Sequence, residues 1–298
     1  MMMKKTLILA LLCCLCLGAA CGESEPRRLP IDFSGGSPLT AENLTETGYS
    51  DDTITVTITS GYEARCEYWV ADIVIKDASQ LRTVSAGGFD SGAVATGTRL
   101  ATRVNAVLAI NGDYYSSAER KGLGYVIRQG ITYRDNLEAA DGKSARLMDV
   151  LLIDEDGDFH VLHRPVAGTV PETVDGKRII NSFSFGPILV ENGELVTDFK
   201  RADRWFDMAP TASYQRVAIC QVGPLHYKIV VCGGPSLGSK GMTLPQFAEL
   251  VSKQGVRTAY NLDGGNSSIM ILGGTRVNGV NHDQPRKLLD IIYFASAQ

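Results

Sequence analysis

Two carboxylates, each at the end of an apolar run and each beside glycine, define the chemistry open to this chain. The later stretch reads Tyr260-Asn261-Leu262-Asp263-Gly264-Gly265-Asn266-Ser267-Ser268-Ile269-Met270. Its apolar approach predicts a buried strand. The strand ends in one charge, two glycines and three small hydrogen-bonding side chains before an apolar run resumes. Gly264 and Gly265 permit positive φ or close backbone approach, and amides exposed in such a turn can cradle an anion. A polar hairpin turn after a core strand would use the same Gly-Gly pair. Asp263 is harder to account for that way, because a charge at a strand end is costly when buried without partners. The earlier stretch, Ala109-Ile110-Asn111-Gly112-Asp113-Tyr114-Tyr115, has the same order: apolar strand, Asn, Gly, Asp, aromatics. Here the rival reading is a turn capped by the Asp113 side chain.

The elements that position these stretches are mostly strands. Residues 53–59 alternate strictly, with Ile54, Val56 and Ile58 on one face and threonines on the other, a half-buried strand. Residues 68–75 form the next. A short helix carrying Leu100, Ala101 and Val104 feeds the strand 107–110 that delivers Asn111. Hairpins are predicted for 125–133, for 150–162 around an acidic turn, and for 188–196 around Asn192-Gly193. That acidic turn, residues 154–158, has its glycine in the wrong place for an EF-hand loop and reads as solvated. Strands at 216–222 and 227–231 precede the clearest helix, 243–254. Thr243 and Gln246 form a capping box there, with Leu244, Phe247, Ala248 and Val251 on one face and Gly255 as the stop. Strand 258–262 then delivers Asp263, and residues 288–294 close the fold. Many strands and few helices predict one α+β, strand-rich domain with mixed β-sheets over residues 51–298.

Composition bounds the partners. A net charge of −4 on 298 residues, with no dense Lys/Arg run beyond Lys5, gives no reason to expect nucleic acid. Lys4 and Lys5, an apolar run and Gly18-Ala19-Ala20 read as a signal peptide over 1–20, too short for a comfortable transmembrane helix. Cys21 directly after small residues resembles a bacterial lipoprotein site, and the alternative is simple cleavage nearby. Residues 21–50, rich in Pro, Ser, Gly, Thr and Glu, read as a tether. Cys66, Cys220 and Cys232 remain in the body, an odd number that encodes no complete disulfide framework. Cys220 and Cys232 could face each other across a hairpin, or stay as half-buried thiols. The histidines are scattered and suggest no zinc site. No cofactor is expected; a divalent cation held by oxygen ligands stays open. Trp205 and Phe206, in a long loop, read as a sugar-stacking platform or a loop anchor.

Together the two Asp-Gly stretches resemble the phosphodiester glycosidase family, that of the lysosomal uncovering enzyme and its bacterial relatives. Further likenesses are Phe183-Ser184-Phe185-Gly186-Pro187, the strand Arg216-Val217-Ala218-Ile219, Gly241-Met242-Thr243-Leu244 with its helix, and Pro285-Arg286 ahead of the last strand. The chain departs from the family at Asn266, where relatives have a third glycine. It departs again at Cys232-Gly233-Gly234-Pro235, where relatives carry an Asp-Gly pair. The resemblance implies cleavage of an α-linked sugar 1-phosphodiester, with release of free sugar and a phosphate monoester. It makes Asp263 and Asp113 the candidates for acid, base or nucleophile. Arg216 and Arg286 would hold the phosphate, supported by the amides at Gly264 and Gly265 and by Ser267 and Ser268. Asn111, Asn261 and Asn266 would position the sugar. The partner implied is a glycan or sugar phosphodiester, with a membrane reached only through a lipid on Cys21. The alternatives are an inactive glycan-phosphate-binding lipoprotein and a protein of exopolysaccharide assembly.

Overall fold

The computed structural model describes residues 34–89, 91–113, 124–136, 149–163, 170–199, 211–236, 239–279 and 286–297. The fold is α+β and strand-rich, a single domain with two helices among the described residues. Two large sheets form it. The nine-stranded sheet runs Leu44–Thr45, Gly48–Ser50, Ile54–Glu63, Cys66–Ile75, His226–Cys232, Arg216–Gly223, Thr258–Leu262, Ile188–Glu191, Glu194–Leu195. The five-stranded sheet runs Thr275–Arg276, Met270–Leu272, Ala106–Asn111, Asp290–Ala295, Leu81–Ser85. Every strand pairing among the described residues is antiparallel, which corrects the expectation of mixed sheets. Short loops account for part of this, since hairpin connections can join only antiparallel neighbours. Ala64 and Arg65, both at positive φ, turn the chain between Ile54–Glu63 and Cys66–Ile75 in two residues.

The sheets meet across one apolar layer. Ile54, Val56, Ile73, Val217, Ile229 and Leu262 of the large sheet pack with Leu108, Ile110, Met270 and Ile292 of the smaller one. The threonine alternation over 53–59 is therefore an inner and an outer face, as its period dictates. Each sheet's outer face carries a helix. Leu244–Ser252, with its Thr243–Gln246 capping box, seats Phe247, Ala248 and Val251 against Ala218, Cys220 and Ala259. Gly97–Arg103 seats Leu100 and Ala101 against Ala109, Ile291 and Tyr293.

Three details differ from the sequence reading. Strands Leu44–Thr45 and Gly48–Ser50 already belong to the large sheet, inside the stretch read as tether. Leu81–Ser85 and Lys177–Phe183 are strands that the pattern did not reveal, because buried Arg82, Thr83, Asn181 and Ser182 interrupt their apolar periodicity. Cys220 lies opposite Lys228, whereas Cys232 lies opposite Arg216, so the two cysteines do not face each other, and all three described cysteines are buried free thiols. In the acidic turn, Asp154 accepts the amides of Asp156 and Asp158, and Lys177 lies 3.7, 3.1 and 3.2 Å from the carboxylates of Asp154, Asp156 and Asp158. A side chain from a neighbouring strand thus offsets part of the turn's charge. Cys21, Tyr114, Tyr115, Trp205 and Phe206 lie outside the described residues.

Candidate active site

Residues 263–269 carry the chain from the large sheet to the smaller one. Leu262 ends a strand of the first, and Met270 begins a strand of the second, paired with Ile110. That crossing brings both Asp-Gly stretches to one place. Asn111 fastens them: its Nδ2 donates to the Asp263 carbonyl at 3.0 Å, and its Oδ1 accepts the Ile269 amide at 3.3 Å. Asn111 is fully buried. It holds backbone, so its role here is to fix the turn.

Gly264 and Gly265 are required by geometry. A Cβ on Gly264 would lie 2.7 Å from the Gln215 carbonyl, and Gly265 sits at φ +59°. The Gly265 amide donates to that same carbonyl at 2.7 Å, and the Ser267 and Ser268 amides close back onto the Gly264 and Gly265 carbonyls. The Gly265 amide is therefore spent inside the turn, which corrects its assignment to a bound anion. Ser268 is also turned inward. It is wholly buried, its carbonyl accepts Gln215 Nε2 and Asn278 Nδ2, and its Oγ finds no partner among the described residues.

What the turn presents outward is a carboxylate and a guanidinium. Arg286 Nη1 lies 3.8 Å from Asp263 Oδ2, with side chains 45% and 13% exposed respectively. The same Nη1 is 3.4 Å from Ser267 Oγ, and the Arg286 amide donates to the Asn266 carbonyl at 3.2 Å. Asp263, Asn266, Ser267 and Arg286 thus converge. Asn261 stands two residues before Asp263, with Nδ2 donating to the Gly186 carbonyl at 2.9 Å and a buried Oδ1 without a partner among the described residues.

Arg216 does something else. The register of Val217 with Leu262 sets it level with Asp263, yet its Nε donates to the Met242 carbonyl at 2.8 Å and its Nη2 to the Ala212 carbonyl at 3.1 Å. Among the described residues it makes no ion pair with a carboxylate. Its partner in register is Cys232, and burial brings the Arg216 pKa down to about 10.

Asp113 is bound from below by groups the sequence reading did not single out. Arg128, whose side chain is 1% exposed, donates Nη2 to Asp113 Oδ2 and Nε to Asp290 Oδ2, each at 2.9 Å. Its Nη1 donates to the Ile127 and Ser182 carbonyls, and its guanidinium lies 4.3 Å from the Phe183 ring centre. Asp290 Oδ1 also accepts the Asp113 amide at 2.9 Å. Burial alone would lower the Arg128 pKa, but Asp290 and Asp113 outweigh it and raise the pKa. Asp113 is thus held as a hydrogen-bond acceptor in a fixed pose. The signal in the sequence was a lone charge inside an apolar run, Arg128 after Tyr125-Val126-Ile127 and Asp290 before Ile291-Ile292.

Gly112 is part of the same device, since a Cβ there would lie 2.3 Å from Asp290 Oδ1. Gly112→Ala is expected to destabilise by about 1–3 kcal/mol as an overpacked site, measurable by urea denaturation. A second support lies behind Asn261. Asp149 Oδ2 accepts the Ile188 amide at 3.0 Å, and Asp149 Oδ1 faces His163 Nδ1 at 3.1 Å, while His163 Nε2 meets Glu191 at 2.8 Å. Burial lowers the His163 pKa, but Glu191 and Asp149 outweigh it and raise the pKa above the ordinary value. Its contribution to stability is then complete below about pH 6.5 and lost as pH rises through the raised value. His163→Ala is expected to lower the melting temperature at pH 5.5 and to have a smaller effect at pH 9.

Among the described residues no group of three or more His, Cys, Asp or Glu side chains is placed to hold a metal ion. The sequence model of the phosphodiester glycosidase family matches residues 104–295. The catalytic domain of zebrafish N-acetylglucosamine-1-phosphodiester α-N-acetylglucosaminidase, auto-inhibited by its pro-peptide, superposes with a TM-score of 0.60 at 15% identity, over 88% of this chain and 87% of that one. A hypothetical protein from Synechocystis superposes at 0.51 with 17% identity, over 81% and 62%. An SPbeta prophage-derived uncharacterized protein of Bacillus subtilis (strain 168), YomE, is 28% identical over 194 residues, 65% of this chain. This chain spans 28% of that relative's length.

Proposed function

Because this chain belongs to the phosphodiester glycosidase family, we propose that it is a hydrolase that cleaves the glycosidic bond of a sugar 1-phosphodiester, GlcNAc-1-phosphodiester-like. The observation that carries the reading is the half-exposed Arg286 guanidinium 3.8 Å from the largely buried Asp263 carboxylate. Water replaces the phosphate at C1, the bond from C1 to the phosphate oxygen breaks, and free sugar and a phosphate monoester leave. Arg286 grips the non-bridging phosphate oxygens through the donors it does not give to Ser267. Asp263 stands next to that anion and meets positive charge as it develops at the sugar centre, either as a nucleophile or by activating water. A phosphate is already a good leaving group, so one carboxylate suffices. Asp113, clamped by Arg128, positions the neighbouring strand end and takes no proton.

The test is hydrolysis of a GlcNAc-α-1-phosphodiester by residues 22–298, read as free sugar. No release from a panel of sugar phosphodiesters would overturn the reading. One observation favours a second reading, a glycan-phosphate binder without turnover: Cys232, not a carboxylate, stands opposite Arg216, whose guanidinium goes to two backbone carbonyls. Binding without sugar release selects it. We further propose that the chain is exported and acts at the bacterial cell envelope, tethered by a lipid on Cys21. Cys21→Ser should then abolish incorporation of labelled fatty acid.

A further inference from the structure

We propose a second glycan subsite, separate from the Asp263 centre, that takes a sugar unit bearing an anionic group. A cleft of ≈ 740 Å³ opens where the edge hairpin at Leu44–Ser50 meets the hairpin Met270–Arg276, the range of small-ligand pockets. Trp69, Arg276 and Glu46 line it, with Thr47, Ser60 and Thr275 supplying hydroxyls. Each part has a use in carbohydrate binding. The half-buried Trp69 ring offers an apolar face for the C–H side of a pyranose. The hydroxyls and the Glu46 carboxylate match sugar hydroxyls.

Arg276 points to the anion. Its Nη2 donates to the Gly279 carbonyl at 3.2 Å, while its buried Nε and Nη1 find no hydrogen-bond partner among the described residues. Burial lowers its pKa, and no carboxylate partner offsets that. Buried guanidinium donors left unmet are costly. An anionic oxygen supplies what they lack once the side chain turns them toward the cleft. Among the described residues Glu46 is the one carboxylate lining the cleft, so the ligand's anionic group lies toward Arg276 and its hydroxyls toward Glu46.

The cleft stands apart from the catalytic turn along the large sheet. Trp69 pairs with Val231, Val231 with Val217, and Val217 with Leu262, the residue before Asp263. Three strand spacings amount to about 14 Å, which separates the cleft from the Asp263 centre. The choice of ligand class rests on the proposed phosphodiester glycosidase activity; the cleft and its unmet donors do not.

The experiment is a titration of Trp69 fluorescence in the Trp205→Phe chain, which leaves Trp69 as the single reporter of the two tryptophans. The probes are N-acetylglucosamine 6-phosphate, neutral N-acetylglucosamine and inorganic phosphate. The expected result is a saturable change with the sugar phosphate, at least tenfold weaker in Arg276→Gln and within twofold of unchanged in Arg286→Gln. Both other probes should bind at least tenfold more weakly. Should Arg276→Gln fail to fold, Thr47→Phe, which fills the exposed rim, carries the same expectation. Four outcomes would overturn the subsite: no saturable change, a change retained in the cleft variant, loss in Arg286→Gln instead, or equal binding of either simpler probe. Hydrolysis plays no part in this readout. Failed binding therefore leaves the proposed reaction standing, and an inactive chain that still reports through Trp69 leaves the subsite standing.

Discussion

Asp263→Asn is expected to lower kcat on a GlcNAc-α-1-phosphodiester by about a thousandfold, roughly 4 kcal/mol of barrier, with the fold intact. The substitution keeps size and hydrogen-bonding capacity and removes only the charge. The fold does not need that charge. Its ion pair with Arg286 is long, 3.8 Å, and that partner is 45% exposed, so solvent screening leaves the pair worth less than about 1 kcal/mol. The turn is held by backbone: Asn111 to the Asp263 carbonyl and the Gly265 amide to Gln215. Kinetics and a urea melt on the same preparation separate the two effects. A loss of activity matched by a loss of stability would make Asp263 a structural residue. Arg286→Gln should instead act mainly through KM, raising it about tenfold, since the guanidinium meets a phosphate charged in both ground and transition states. An unchanged KM would remove Arg286 from the phosphate.

The strand ends were legible because they combine two signals that seldom coincide, an apolar run and a cluster of small polar residues. Strand Thr258–Leu262 and helix Leu244–Ser252 follow that grammar, and the capping box is where Thr243 and Gln246 predicted it. Convergence of Asp263 with Asn111 was legible only as a likeness between two motifs. Its cause is topological, because residues 263–269 cross between sheets and Met270 pairs beside Ile110. The roles of the polar residues were not legible, since sequence does not say whether a donor is already spent. Gly265 and Ser268 looked like anion ligands, but the Gly265 amide is spent inside the turn and the Ser268 side chain is buried within it. Arg216 looked like a phosphate grip and holds two carbonyls. Arg128 was passed over because it sits in an apolar strand, where a charge has no use until its partners arrive from 15 and 162 residues away.

Arg128→Met is expected to cost about 3–5 kcal/mol of stability, the effect of removing one partner from a buried ion pair. The guanidinium is enclosed on every side by Asp113, Asp290, two backbone carbonyls and the Phe183 ring. Without it, two carboxylates and two carbonyls face each other in a site sealed from water. Some of that repulsion can be relieved by protonation, so the loss should be smaller at pH 5 than at pH 8. The sign follows from the variant's native carboxylates having raised pKa values. Its folded state then binds more protons than its unfolded state, and stability falls as pH rises. The decisive variant is Arg128→Met with Asp290→Asn, which removes the cation and one anion together. If the ion cluster is the cause, the double variant is more stable than Arg128→Met alone, a non-additivity that mutant cycles measure directly. If the cause is lost packing against Phe183, the second substitution gives no recovery. The triple variant that adds Asp113→Asn carries the question into function. Asp113 is assigned here to positioning, so this chain should regain sugar release along with its fold. A stable triple variant with no turnover would return Asp113 to the reacting groups.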